Sequence, residues 1–125
     1  MYGLHHTGFS VPNLEKALEF YCDVLGGEVV GDRVEWEPGY DVADEVLQVP
    51  GVGGKICWVK FGQAYLEIFE FSNCQPREKA ADEPVVNHGF SHIAFFVEDL
   101  DEWCARLEQQ GVRFHKREAV APGNG

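Results

Sequence analysis

Two histidines and one glutamate are the residues of this sequence whose types and positions favour metal chemistry. His6 begins the run HTGFSV, His92 begins HIAFFV, and Glu67 lies in the middle of AYLEIFEF. A carboxylate inside an aromatic-rich strand is costly to bury as an anion unless a cation compensates its charge. Two imidazoles and one carboxylate form a ligand set that suits Zn, Fe, Ni, Co or Mn. The pattern therefore predicts a divalent metal ion held by His6, Glu67 and His92.

The elements that must position these side chains are strands, in which successive residues point to opposite faces. In the strand predicted over residues 4–11, His6 points away from the face that a helix covers. In the strand predicted over residues 64–71, Glu67 shares its face with Tyr65 and Phe69. We therefore expect the imidazole and the carboxylate on the same, inner face, with aromatic side chains beside them.

The rest of the chain carries the periodicity of further strands and helices. In the first half, the pattern predicts a helix from Pro12-Asn13 to Gly26-Gly27, a strand over 28–36 and an acidic loop with a short helix. A hairpin of 55–61 and 64–71 follows, with its turn at Gly62-Gln63. In the second half, the pattern predicts a strand over 92–97, a helix that Asp99 caps, and a strand from 112. Glu70 is assigned to a solvated sheet face, and the four cysteines to structural roles.

The start of the chain is repeated in its second half. Four residues recur in identical type 86 positions later (for the histidines, 92 − 6): His6 as His92, Phe9 as Phe95, Val11 as Val97 and Leu14 as Leu100. Four matches at one offset indicate an internal duplication. We therefore predict an α+β fold of two tandem βαβββ units, which form a curved mixed sheet with helices on its outer face. Residues related by the offset then face each other, which brings His6 and His92 together.

Composition narrows the range of partners. The chain has 125 residues and a formal net charge of −11 at pH 7, which disfavours nucleic acid and anionic membrane surfaces. It shows no apolar run long enough to span a bilayer and no signal-peptide pattern, so we expect a cytoplasmic protein. A small-molecule substrate is the partner that these features favour.

The motifs resemble those of the vicinal oxygen chelate superfamily, which includes glyoxalase I, extradiol dioxygenases and bleomycin-resistance proteins. The matching residues are His6 five positions before Val11, FYCDVLGG at 20–27, Glu67 between Leu66 and Ile68, and HIAFFV at 92–97. The resemblance runs from Leu4 to Glu118 and implies paired βαβββ units with a metal ion in a concave sheet. It also implies that His6, Glu67 and His92 are three of four metal ligands.

The chain departs from the family pattern at its end. The resemblance implies two further strands, the last of which carries a fourth ligand and often the catalytic base, yet the sequence stops at Gly125. A longer natural product, a partner chain that supplies the strands, or a loss of the strands would each explain this, and the first is favoured. We expect one domain over 1–125, with a first unit over about 1–73, a linker over 74–88 and an incomplete second unit over 89–125.

Three functions are compatible with this reading. The leading prediction is a metal-dependent enzyme of glyoxalase type, in which the ion polarises a carbonyl of a small chelating substrate and promotes lyase or isomerase chemistry through an enolate. Glu67 is the candidate catalytic base. The alternatives are an Fe(II) dioxygenase of extradiol type and a non-enzymatic drug-binding protein without a metal.

Further residues are candidates for contact with the substrate. Tyr65, Phe69 and Phe96 share the face of the predicted metal and are expected to wall an apolar pocket, although such residues more often belong to the core. Arg33 is the candidate for an anionic substrate group, with a surface ion pair as its ordinary alternative. His5 is the rival of His6 as a ligand and would replace it if the strand slipped by one residue, whereas alternation assigns it to the helix interface or a rim. A homodimer would cover open sheet edges.

Overall fold

The computed structural model describes residues 3–80 and 82–115. The chain divides between Glu78 and Lys79 into two compact units. The first unit contains β1 (His6–Ser10), α1 (Leu14–Leu18), β2 (Glu28–Trp36), α2 (Asp41–Leu47), β3 (Gly53–Phe61) and β4 (Ala64–Ser72). The second contains α3 (Leu100–Gln109). Among the described residues, no helix is both long enough and apolar enough to cross a membrane.

The first unit is built on a four-stranded mixed sheet in the order β1-β4-β3-β2. The edge strand β1 runs parallel to β4, whereas β2, β3 and β4 pair in antiparallel fashion. The hairpin of β3 and β4 turns at Gly62-Gln63, as predicted, with Gly62 at a φ of +58°. The α+β class, the βαβββ order of this unit and the mixed sheet are confirmed.

The core of the first unit lies between the sheet and α1. Its buried apolar side chains are Leu14, Leu18, Cys57, Val59, Leu66 and Ile68. On β4 they alternate with Tyr65, Glu67 and Phe69, so the predicted separation into a helix-side face and an inner face is confirmed. Full burial of one such aliphatic side chain stabilises a fold by about 1.5–3 kcal/mol.

Glu70 corrects one expectation, because it is not on a solvated face. Its Oε2 accepts a hydrogen bond from the backbone N–H of Leu14 at 2.7 Å. Its Oε1 lies 3.5 Å from Nζ of Lys55. The first amides of a helix lack intrahelical partners, and a carboxylate there is stabilised by the helix dipole. Glu70 therefore anchors the start of α1 to the sheet.

The predicted first helix is present but changes its winding. Asn13 Oδ1 caps α1 by accepting from the backbone N–H of Lys16 at 2.8 Å. A π-helical turn, Glu19–Val24, then continues to the predicted stop, where Gly26 has a φ of +80°. Gly27 packs so closely that an added Cβ would lie 2.5 Å from Val59 Cγ1. Only glycine fits at this point of contact between the helix end and the sheet.

The second unit confirms its predicted helix and corrects its predicted strands. Asp99 Oδ1 accepts from the backbone N–H of Glu102 at 2.9 Å and caps α3. In the described part of the chain, residues 92–97 and 112–115 are not strands, which require ladder hydrogen bonds with a second strand. The rest of the strand predicted from 112 lies outside the described residues. How the two units pair stays a prediction.

Candidate functional site

His6 and Glu67 lie side by side on the inner face of the sheet. The parallel pairing of β1 with β4 places Gly8 opposite Glu67, two residues after His6. As a result, His6 Nε2 lies 3.5 Å from Glu67 Oε2. The imidazole is 40% exposed and the carboxylate 19% exposed. The pair therefore combines a nitrogen donor and an oxygen donor at a site that a small molecule can reach.

Gly8 provides the space for this arrangement. A Cβ built at this position would lie 3.2 Å from Glu67 Oε2 and 3.5 Å from Phe69 Cε2. The first distance is shorter than ordinary van der Waals contact, so a larger residue would push the carboxylate aside. The sequence HTG, with glycine two residues after His6, thus leaves room for Glu67 beside the imidazole.

Aromatic rings surround the pair. The rings of His6 and Trp58 meet edge to face with centroids 4.8 Å apart. His5 stacks on Tyr65 with centroids 5.0 Å apart and 13° between the planes. These contacts put Tyr65 next to the site, on the face that alternation predicted. They also bring in Trp58, which the sequence did not assign to it, and His5, which the sequence predicted only as the rival of His6.

The register of the predicted hairpin is a signal that would have placed Trp58 beside Glu67. A turn at Gly62-Gln63 pairs residues whose numbers add to 125, which places Trp58 opposite Glu67. Residues directly opposite on antiparallel strands share a face. His5 carried no such signal, because it precedes β1 and its contacts depend on side-chain rotation. It lies with the inner-face aromatics rather than at the helix interface.

Phe69 and Arg33 lie in different surroundings. Phe69 is 8% exposed and stacks on Phe71 with centroids 5.5 Å apart, so it forms the floor beneath Gly8. Arg33 lies on the helix side, where Nη1 is 2.6 Å from Glu15 Oε1 of α1. Burial raises the pKa of the nearby Cys57 thiol, although the Arg33 guanidinium acts in the opposite direction. This neutral thiol fits the structural role predicted for the cysteines.

His92 and Phe96 belong to the second unit. His92 is exposed and its Nδ1 lies 2.8 Å from Ser91 Oγ, while the Phe96 ring is fully exposed. In the described part of the first unit, no three His, Cys, Asp or Glu side chains form a group that could hold a metal ion. The participation of His92 beside His6 and Glu67 stays a prediction.

Comparison with known proteins identifies the family. The model of the Glyoxalase/Bleomycin resistance protein/Dioxygenase superfamily matches residues 3–124. The chain belongs to this superfamily. Its fold agrees with a glyoxalase family protein from Bacillus cereus at a TM-score of 0.75 and 23% identity, over 89% of this chain and 73% of the other. The resemblance found in the sequence motifs is thereby confirmed.

Two curated relatives of this superfamily member are enzymes. A lactoylglutathione lyase of Schizosaccharomyces pombe is 29% identical over 93% of this chain and 39% of its own length. A 2-epi-5-epi-valiolone epimerase of an Actinomyces species is 30% identical over 88% of this chain and 60% of its own length. The chain therefore spans less than two thirds of the length of either relative.

Proposed function

We propose that this chain is part of a metal-dependent enzyme of glyoxalase type that performs lyase or isomerase chemistry on a small oxygenated substrate. The observation that carries the proposal is the 3.5 Å separation of His6 Nε2 and Glu67 Oε2 on neighbouring strands. Family membership and the lyase and epimerase among the curated relatives support the same class of reaction.

The residues present fit a divalent ion. An imidazole nitrogen and a carboxylate oxygen are ligands that Zn, Ni, Co, Mn and Fe all accept, and a catalytic metal keeps open positions for substrate. His6 and Glu67 would supply two ligands from the first unit, and His92 a third from the second. When bound, the ion supplies Lewis-acid polarisation of a substrate carbonyl, which favours loss of a proton from the adjacent carbon.

Glu67 and its neighbours have distinct tasks in this proposal. The Glu67 carboxylate accepts the proton next to the carbonyl, since a base must reach the atom that it deprotonates. Tyr65 and Phe69 form an apolar wall and floor that exclude water from the reacting face, and Phe96 stays a predicted member of this wall. Arg33 contacts Glu15 on the helix side, and its predicted substrate role stays outside this proposal.

The experiment is elemental analysis of protein purified without added metal. We expect about one divalent ion per chain in the unchanged protein, consistent with a single predicted ligand set. His6→Ala, Glu67→Gln and His92→Ala should each lose most of it. The matched control is His88→Ala, an exposed histidine outside the predicted ligand set, which should keep the ion. Stoichiometric metal in both His6→Ala and His92→Ala would end the assignment.

The same measurement separates the alternative functions. Iron in the purified protein, together with oxygen uptake on a catechol, would instead support the extradiol dioxygenase, because two histidines and a carboxylate leave positions open on Fe(II). Protein that contains no metal and binds an apolar or cationic compound equally well after Glu67→Ala would support the drug-binding role. Zinc, nickel, cobalt or manganese without oxygen uptake supports the lyase or isomerase.

A further inference from the structure

His5, the residue just before β1, directly contacts His6, the proposed metal ligand. Its Nδ1 lies 2.9 Å from Nδ1 of His6, within hydrogen-bond distance. The two rings are nearly perpendicular, with 89° between their planes. His6 therefore has one ring nitrogen occupied by its neighbour in sequence, while the other, Nε2, is directed at Glu67.

The His5 ring is itself held in place. It stacks on Tyr65, which is the register partner of His6 across the β1–β4 pairing. Its edge also contacts Trp58, with centroids 6.0 Å apart. An exposed side chain gains little from a hydrogen bond if it must first be ordered. Because the two aromatic contacts order the His5 ring, the bond to His6 costs less conformational entropy.

The hydrogen bond between the two Nδ1 atoms requires that one carries a proton and the other does not. A neutral imidazole has one N–H and one lone pair, so the bond made by Nδ1 decides the state of Nε2. When His6 Nδ1 donates to His5, His6 Nε2 is left with a free lone pair beside Glu67. This is the tautomer in which a histidine binds a metal ion through Nε2.

We infer that His5 is a positioning residue that selects the His6 tautomer and ring orientation for metal binding through Nε2. This inference rests on the proposed function. Partners that hold the second nitrogen of a metal-binding histidine typically change metal affinity by roughly 10- to 100-fold when they are removed. His5 acts through His6 and needs no contact with the ion or the substrate.

Two substitutions separate the hydrogen bond from the ring packing. His5→Phe keeps an aromatic ring to stack on Tyr65 but removes Nδ1. His5→Asn removes the ring but presents an amide oxygen near the position of Nδ1, where it can accept from His6. In a titration with Co(II) followed by its visible absorption, His5→Phe should bind roughly 10- to 100-fold more weakly than the unchanged protein. His5→Asn should recover most of the affinity.

Equal Co(II) affinity in His5→Phe and the unchanged protein would overturn the positioning role, because the ring contact alone would then suffice. Failure of the unchanged protein to bind Co(II) would overturn the proposed function and the inference with it. A second readout does not depend on any metal. Long-range ¹H–¹⁵N spectra of the metal-free protein should show His6 protonated at Nδ1 and His5 not, and a His6 ring protonated at Nε2, with or without an Nδ1 proton on His5, would refute the inference.

Discussion

The two copies of the repeated motif adopt different structures. In the first, His6–Ser10 forms β1 and pairs with β4 through five register positions, from His6 opposite Tyr65 to Ser10 opposite Phe69. In the second, residues 92–97 match in sequence at an offset of 86 yet form no strand among the described residues. The helices that follow the two segments are both present, α1 with a side-chain cap from Asn13 and α3 with the predicted cap from Asp99.

The difference shows which parts of a motif are local. A side-chain cap lies within a few residues of the amide that it accepts from, so both copies form one, although Glu70 of β4 also satisfies the first amide of α1. A strand needs the hydrogen-bonding groups of a second strand. For β1 this partner is β4, whose register positions lie 59 residues further along the chain (65 − 6). The apolar alternation of 92–97 therefore indicates what the segment would form beside a second strand, and the described residues do not show it as a strand.

The largest expected loss of stability follows a substitution in β4, the strand that pairs with β1. Ile68 on β4 is fully buried, whereas Ile93, in a segment that is not assigned as a strand among the described residues, is only half-buried. Ile68→Ala should lower the free energy of unfolding by about 2–5 kcal/mol, because it leaves a cavity in the core. Ile93→Ala should cost about 1 kcal/mol or less, since partly exposed sites lose little burial.

The measurement is urea unfolding followed by tryptophan fluorescence. Trp36 and Trp58 report unfolding of the first unit, in which Ile68 lies, and Trp103 on α3 reports unfolding of the second unit, in which Ile93 lies. A loss of equal size in both variants would mean that the second segment is as firmly packed as β4, and the contrast between the two regions would fail.

A second test compares the ends of the two repeated motifs. Gly27 lies where an added Cβ would meet Val59 Cγ1 at 2.5 Å and Phe61 Cζ at 2.6 Å. The position 86 residues later is Arg113, which is exposed. Gly27→Ala should destabilise the first unit by about 1–3 kcal/mol through overpacking. Arg113→Ala should change stability by no more than about 0.5 kcal/mol.

Thermal unfolding of the two variants beside the unchanged protein measures this difference. If Gly27→Ala unfolds at the temperature of the unchanged protein, the helix end and β3 are not in the close contact described. A loss in Arg113→Ala as large as that in Gly27→Ala would show that the second motif also ends in a tight contact.

The smallest effect concerns the feature that the two motifs share. Asn13 and Asp99 each cap a helix through a side-chain oxygen, at 2.8 and 2.9 Å from the bonded nitrogen. Asn13→Ala and Asp99→Ala should each cost about 1 kcal/mol, which corresponds to a roughly fivefold increase in amide exchange within the affected helix. Hydrogen exchange followed by NMR would measure both. A tenfold difference between the two would contradict the view that capping is independent of the sheet.

The sequence predicted those features that depend on near neighbours. The bounds of β2, residues 28–36, agree with the structure because β-branched residues and the flanking turn residues mark both ends. The cap on α3 follows from Asp99 and Glu102 alone. Glu67 and Tyr65 were assigned to the correct face because side chains alternate along a strand.

The features that were missed depend on distant partners or on side-chain rotation. Glu70 was assigned to solvent, yet it holds the start of α1, which lies 56 positions earlier. The π-helical turn at Glu19–Val24 left the apolar spacing of the helix unchanged and therefore gave no signal. His5 was separated from His6 by alternation, although their two Nδ1 atoms lie 2.9 Å apart.

The parallel edge strand also sets the order in which the paired side chains are produced. His6 leaves the ribosome 61 residues before Glu67 (67 − 6), and among the described residues of the first unit β1 pairs with β4 alone. At synthesis rates of roughly 5–20 residues per second, the nascent imidazole waits roughly 3 to 12 seconds for its carboxylate. During this interval β1 lacks its pairing with β4, so His6 is among the last side chains of the sheet to reach its final surroundings.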